Sequence, residues 1–161
     1  MNKIIYPGSF DPVTYGHLDI IKRCAKLYDK VVIGVLKNLS KTALFDDHEK
    51  IEMLKELLYD YDNVEVKIFS GLLVDFVRLE QADGVVRGLR ELSDYEYEKQ
   101  MAILNRTLYP KMETIFLVAD ARYSYISASF AREVASFGGD VSKMVPPNVE
   151  KRLKEKFSRG E

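Results

Sequence analysis

The chain has 161 residues, 47% of them hydrophobic and 30% charged, with a net charge of −1 and a pI near 6.2. That supplies one full core and excludes a general nucleic-acid or membrane-surface binder, so any basic site must be local. The apolar runs, such as Val31–Leu36 and Ile115–Ala119, fall far below the ~20 residues of a membrane span, no signal-peptide pattern precedes the first strand-like residues, and the lone Cys24 permits no internal disulfide; a soluble cytoplasmic protein is expected.

The first strand is predicted over Lys3–Tyr6, followed by the loop "PGSFDPVTYGH" and a helix with Ile21, Cys24, Ala25 and Tyr28 on one face. A continuous apolar strand follows at Lys30–Leu36, then the loop "KNLSKTALF". The second helix opens at Asp46-x-x-Glu49, a capping-box pattern, and carries Ile51, Leu54, Leu57 and Leu58 on one face. The third strand spans Val64–Phe69 and leads through "SGLL" into a helix marked by Leu73, Phe76 and Val77. The fourth strand is predicted over Gly84–Val86, with "RGLR" read as a turn after it. Ser93-x-x-Glu96 is the predicted start of a long helix that runs to about Leu108 and is stopped by Pro110. Thr114–Val118 forms the fifth strand. Two helices close the chain, Ser129–Phe137 and Pro147–Phe157, with Pro147 suited to a first helical position. No repeat, linker or low-complexity tract divides this series, so residues 1–161 are expected to form one α/β domain.

Strand–helix alternation of this kind predicts a mainly parallel five-stranded sheet flanked by helices. Ligands in such sheets bind at the carboxyl ends of the strands. Four of the five loops at that edge carry Lys, Arg or His, so the edge is expected to be locally basic and to hold a phosphorylated ligand. There is no GxxxxGK[ST] and no GxGxxG, which leaves the common phosphate and dinucleotide loops unsupported. Two histidines, one cysteine and no ligand-like spacing argue against a protein-held metal. His17 ends "TYGH" where a helix begins. It can aim a ring N–H into the cleft beside the helix amides, or be an ordinary first-turn residue. His48 reads as surface, and Cys24 as packing.

The loop "YPGSFDPVTYGH" resembles the T/H-x-G-H signature of a nucleotidyltransferase superfamily, and Ile126-Ser127-Ala128-Ser129-Phe130-Ala131-Arg132 resembles its second, Ile-Ser-Ser-x-x-x-Arg/Lys. Within that superfamily the chain is most similar to the bacterial phosphopantetheine adenylyltransferases. The similarity runs almost end to end, through "SKTALF", "RGLRELSDYEYEKQMAILNR", "SYISAS" and "GGDVSKMVPPNV". The resemblance implies a Rossmann-like fold and the transfer of the adenylyl group of ATP to 4′-phosphopantetheine. Two alternatives are another acceptor, such as nicotinamide mononucleotide, and a non-catalytic nucleotide-binding regulator.

Carried over residue by residue, the resemblance makes His17 a transition-state stabiliser, with Lys41 and Arg90 also catalytic. It places ATP against Ser9, Phe10, His17, Gly88, Leu89, Arg90, Glu98 and Tyr123, Ser124, Tyr125, Ile126, Ser127, Ala128, Ser129. It places the acceptor against Ser9, Lys41, Leu73, Arg87, Met101 and Asn105. Ser9 stands where many members have threonine, which keeps the hydroxyl. Ala128 stands where serine is common, which removes one side-chain donor and leaves the backbone amides. Magnesium carried on the phosphates, a homohexamer and feedback by coenzyme A are further implications of the resemblance.

Overall fold

The computed structural model describes residues 2–37, 39 and 42–158. Five strands and six helices alternate along them: β1 (Lys3–Gly8), α1 (Tyr15–Leu27), β2 (Lys30–Leu36), α2 (Asp47–Leu57), β3 (Val64–Phe69), α3 (Leu73–Glu80), β4 (Gly84–Leu89), α4 (Leu92–Leu108), β5 (Glu113–Val118), a short 3₁₀ turn at Ala121–Tyr123, α5 (Ala128–Ser136) and α6 (Pro147–Ser158). The strands form one sheet in the order β3-β2-β1-β4-β5, and every pairing is parallel. The α/β fold expected from strand–helix alternation is therefore the one observed. Among the described residues, no helix is long and apolar enough to cross a membrane.

The core is unequal on the two faces of the sheet. The larger cluster joins Ile4, Tyr6, Val31, Ile33 and Val35 to Leu18, Ile21 and Cys24 of α1, Met53 and Leu54 of α2, Ala131 of α5 and Val149 and Leu153 of α6. The smaller cluster sets Ile5, Val32 and Val85 against Val74, Phe76 and Val77 of α3, with Met112. Apolar residues on both sides of β1 and β2 are what a doubly covered parallel sheet requires. Cys24 is wholly buried, and burial pushes its thiol up to about 11, in keeping with a packing role. His48 is exposed.

Three of the boundaries that differ from the sequence reading bear on the cleft. β1 continues through Pro7 and Gly8, which pair in register with Gly34 and Val35 of β2. On its other side β1 meets β4 only at Ile4↔Gly84 and Ile5↔Val85. Beyond that the two strands part, so the missing N–H of Pro7 leaves no ladder bond unmade there, and its carbonyl instead accepts from Arg87 Nη1 at 2.8 Å. β4 likewise continues through Arg87-Gly88-Leu89, in register with Phe116, Leu117 and Val118 of β5. Arg87 is thus a strand residue, not a turn residue, and Arg90 is the first residue past the strand. The third difference is the start of α4. Its cap is Glu91 paired with Asp94, not Ser93 with Glu96, and the Asp94 carboxylate accepts from the amides of Arg90 and Glu91. The capping box at Asp46 and Glu49, and Pro147 as a first helical residue, are found as read.

Candidate active site

The strand order reverses between β1 and β4, the position where open parallel sheets gather their ligands. A cleft of about 380 Å³ opens there. Three chain segments line it: Tyr6–Ser9 with Thr14, Gly16, His17 and Ile20; Arg87, Gly88, Arg90, Asp94 and Glu98; and Ala119, Tyr123 and Ile126–Ser129 with Arg132.

His17 is fixed by its own helix start. The backbone N–H of Thr14 donates to His17 Nδ1 at 3.0 Å, while the Thr14 hydroxyl accepts from the His17 amide. A histidine here takes the part that Glu or Gln usually plays in a capping box. An amide can only donate, so Nδ1 carries no hydrogen in the neutral ring, and the ring proton sits on Nε2. The ring rests on Phe10, with centroids 4.9 Å apart, at the wall of the cleft. Burial first, then the charges of Arg90 and Arg87, lowers its pKa to about 4. His17 is therefore a neutral donor near pH 7, unsuited to serve as a general base through Nδ1.

The two arginines are held by acids on one face of α4. Arg87 Nε and Nη2 donate to the two carboxylate oxygens of Glu98 at 2.9 and 2.8 Å. Arg90 Nε lies 3.5 Å from an Asp94 oxygen, and Arg90 Nη1 donates to the carbonyl of Ile126 at 2.6 Å. Arg132 donates to the Asp11 carbonyl, and its guanidinium lies 3.8 Å from the Asp11 carboxylate. That carboxylate also accepts from the amides of Leu44 and Phe45, which ties the first loop to the loop after β2. Among the described lining residues, the positive charges of Arg87, Arg90 and Arg132 are partly offset by Glu98 and Asp94, which pair with Arg87 and Arg90, so the cleft is less basic than the loop sequences imply.

At the start of α5 the Ser127 hydroxyl accepts from the Phe130 amide at 3.0 Å and keeps its own hydrogen for another partner. Helix N-termini of this kind present amides and positive dipole ends to anions.

The fold brings Ser9, His17, Arg87, Gly88, Arg90, Glu98, Tyr123, Ile126, Ser127, Ala128 and Ser129 to one cleft. Phe10 is buried beneath His17 and does not line it. Leu89 lies on β4, and Ser124 and Tyr125 follow the 3₁₀ turn, all outside the lining. Leu73 on α3 and Met101 and Asn105 on α4 are half-buried and lie outside it too. Lys41 falls outside the described residues. Sequence reasoning missed Thr14, Asp94 and Asp11. The T-x-x-H spacing at a helix start, and an acid four residues after Arg90, were the available signals. Among the described residues, no three His, Cys, Asp or Glu side chains come together as a metal cage.

Comparison with known proteins gives the family and the fold. The cytidylyltransferase-like family model matches residues 5–134. Phosphopantetheine adenylyltransferase of Caldanaerobacter subterraneus subsp. tengcongensis is 52% identical over 159 residues, covering 99% of both chains. The proteins of that name from Dictyoglomus turgidum and Clostridium perfringens are 50% and 48% identical, covering 98% of this chain and 98% and 97% of theirs. Among solved structures, a Vibrio parahaemolyticus protein superposes with a TM-score of 0.71 at 18% identity, covering 100% of this chain and 98% of that one. Nicotinic acid mononucleotide adenylyltransferase of Plasmodium falciparum gives 0.68 at 16% identity, covering 96% and 95%. At such low identity these two speak for the fold alone, whereas the full-length matches near one-half identity speak for the family. The chain belongs to the cytidylyltransferase-like family and, within it, to the phosphopantetheine adenylyltransferases.

Proposed function

We propose that this protein transfers the adenylyl group of ATP to 4′-phosphopantetheine, forming dephospho-coenzyme A and releasing pyrophosphate. An oxygen of the acceptor phosphate attacks the α-phosphorus. The bond from that phosphorus to the β-phosphate oxygen breaks, and its electrons leave with pyrophosphate. The attacking phosphate is already an anion, so the protein needs no strong base. It has to hold two anions in line and stabilise the charge that moves between them.

The observation that carries this reading is the tautomer of His17. With Nδ1 bound to the Thr14 amide, Nε2–H is the donor available to an α-phosphate oxygen. Ser9 lines the same cleft. Arg87 and Lys41 take the acceptor phosphate. Arg90 and the α5 start at Ser127–Ser129 take the β- and γ-phosphates of ATP, with Gly88, Tyr123 and Ile126 lining the same cleft. Leu73, Met101 and Asn105, away from the phosphates, suit the extended pantetheine arm. Magnesium enters with ATP as its phosphate complex, since the described residues form no cage for it.

Family membership further supports a homohexamer in the cytoplasm and competition by coenzyme A, which carries the same pantetheine arm. The decisive assay supplies ATP and magnesium with either 4′-phosphopantetheine or nicotinamide mononucleotide. Pyrophosphate should appear with the first only. Release with the second alone would reassign the acceptor, and none with either would leave a nucleotide-binding protein without this reaction.

A further inference from the structure

On the reading that ATP occupies this cleft, we propose that the hydroxyl of Tyr6 hydrogen-bonds the nucleotide directly at the cleft floor. β1 pairs with β4 only as far as Ile5↔Val85, while on its other side Tyr6 still pairs with Ile33 of β2. Tyr6 is therefore the first residue past the point where the strands part. Its ring belongs to the same core cluster as Ile4 and Cys24. It meets Phe10 edge-on, with centroids 5.7 Å apart, and lies 6.4 Å from the His17 ring.

The oxygen is what sets Tyr6 apart from a plain core residue. Tyr6 is only 7% exposed, and a tyrosine buried this deeply ordinarily has a partner for its O–H. Among the described residues the Tyr6 hydroxyl makes no hydrogen bond. Nor is it sealed away, as the partnerless Lys50 Nζ and Asn148 Oδ1 are. It keeps an opening, and the space that Tyr6 borders is the cleft. Phenylalanine would fill the same volume without desolvating a hydroxyl, so in the free chain the oxygen only weakens the fold. A ligand in the cleft supplies the missing partner. Burial raises the phenol pKa well above its usual value, against the opposing charges of Arg87 and Arg90. The hydroxyl therefore stays neutral, able both to donate and to accept. Its neighbours assign it to the nucleotide. Gly16, Ile20 and Gly88 line the same part of the cleft without a polar side-chain atom, and His17 carries the donor proposed for the α-phosphate. Leu73, Met101 and Asn105, proposed for the acceptor arm, lie outside the lining.

Tyr6→Phe removes the oxygen and nothing else. Without ligand, the variant should unfold at a Tm no lower than that of the wild-type chain, because no hydrogen bond of the fold is lost. Calorimetric titration with ATP and magnesium, in the absence of acceptor, should show binding weakened about 3- to 10-fold, the worth of one hydrogen bond. KM for 4′-phosphopantetheine should move less than about 2-fold. A merely structural hydroxyl gives the opposite pattern, a lower Tm with ATP affinity intact. Unchanged ATP affinity would overturn the proposal, and so would a fall in the unliganded Tm or an equal loss for the acceptor. The titration needs no turnover. If the wild-type chain makes no pyrophosphate with this acceptor, the substrate reading fails and the Tyr6 test still stands. A wild-type chain that binds no ATP would overturn both.

Discussion

Two helices flank the cleft, and they are anchored by different means. α1 has 13 residues and buries Leu18, Ile20, Ile21 and Cys24. α4 has 17 and buries none, leaving Leu92, Tyr97 and Ile103 at 77%, 61% and 59% exposure. α1 is therefore held by the hydrophobic effect, and His17 inherits the rigidity of the core. α4 is tied to the cleft mainly by ions, Asp94 to Arg90 and Glu98 to Arg87. The proposed transition-state donor, His17, stands on the first helix. The acids that hold the arginines proposed to bind substrate stand on the second.

The sharpest way to break this contrast is to cut each helix at its apolar side. Ile21→Ala should cost about 2–5 kcal/mol of stability, the range for a truncated core residue, measured by denaturant unfolding. Ile103→Ala should cost less than about 0.5 kcal/mol in the dilute chain. A loss at Ile103 that grows with protein concentration would show that another copy covers that face.

Next in size is the chemistry on α1. His17→Ala should lower kcat about 10²- to 10³-fold, some 2.7–4 kcal/mol, with a much smaller change in ATP affinity. Near-normal turnover in the folded variant would remove His17 from the mechanism.

The arginines near α4 should divide by substrate. Arg87→Ala, together with Lys41→Ala in the loop after β2, should weaken 4′-phosphopantetheine binding and slow turnover by up to about 10²-fold. Arg90→Ala should mainly weaken ATP binding. Calorimetric titration of each variant with each ligand reads the split, and equal losses for both ligands would abolish it.

The smallest effect is a titration. The His17 pKa is lowered in the folded chain to about 4, so between that value and 6.5 the unfolded chain binds the extra proton. The stabilising contribution of neutral His17 is whole above 6.5 and is lost as the pH falls toward 4. The His17 ring resonances should therefore hold steady through pH 6 and move only near 4. In His17→Gln the fall in Tm between pH 7 and 4.5 should be shallower than in the wild-type chain. A midpoint near 6.5 would mean that the ring is neither buried nor repelled by Arg90 and Arg87.

The same contrast explains what could be read from the sequence. Strand and helix positions were legible wherever apolar periodicity carried them, as at Lys30–Leu36 and Val64–Phe69, which match the observed strands. The errors gather where residues have two duties. Pro7-Gly8 and Arg87-Gly88-Leu89 look like turn chemistry, yet both continue their strands, because parting strands expose backbone that needs no second ladder. His17 and the α5 start were visible as motifs. The partners that fix them were not. That Thr14 sets the His17 tautomer, or that Glu98 takes up Arg87, depends on distances across the fold that no local pattern encodes. Ser93 and Glu96 fit the capping pattern better than Glu91 and Asp94, and lost because Asp94 also meets Arg90.

The parting of β1 from β4 has a consequence for how the molecule folds. The contacts that frame it are remote in sequence: the Lys3 amide donates to Asp83 across 80 residues, and Arg87 reaches Pro7 across the same span. Loop closure of that length comes late and slowly in a parallel sheet. The three segments lining the cleft cannot assemble until that closure is made, so a partly folded chain has no nucleotide site. ATP then binds only the finished fold, and at 100 times its dissociation constant it adds about 2.7 kcal/mol to global unfolding. Hydrogen exchange in the core of β1 and β4 should slow along with the cleft loops when ligand is present.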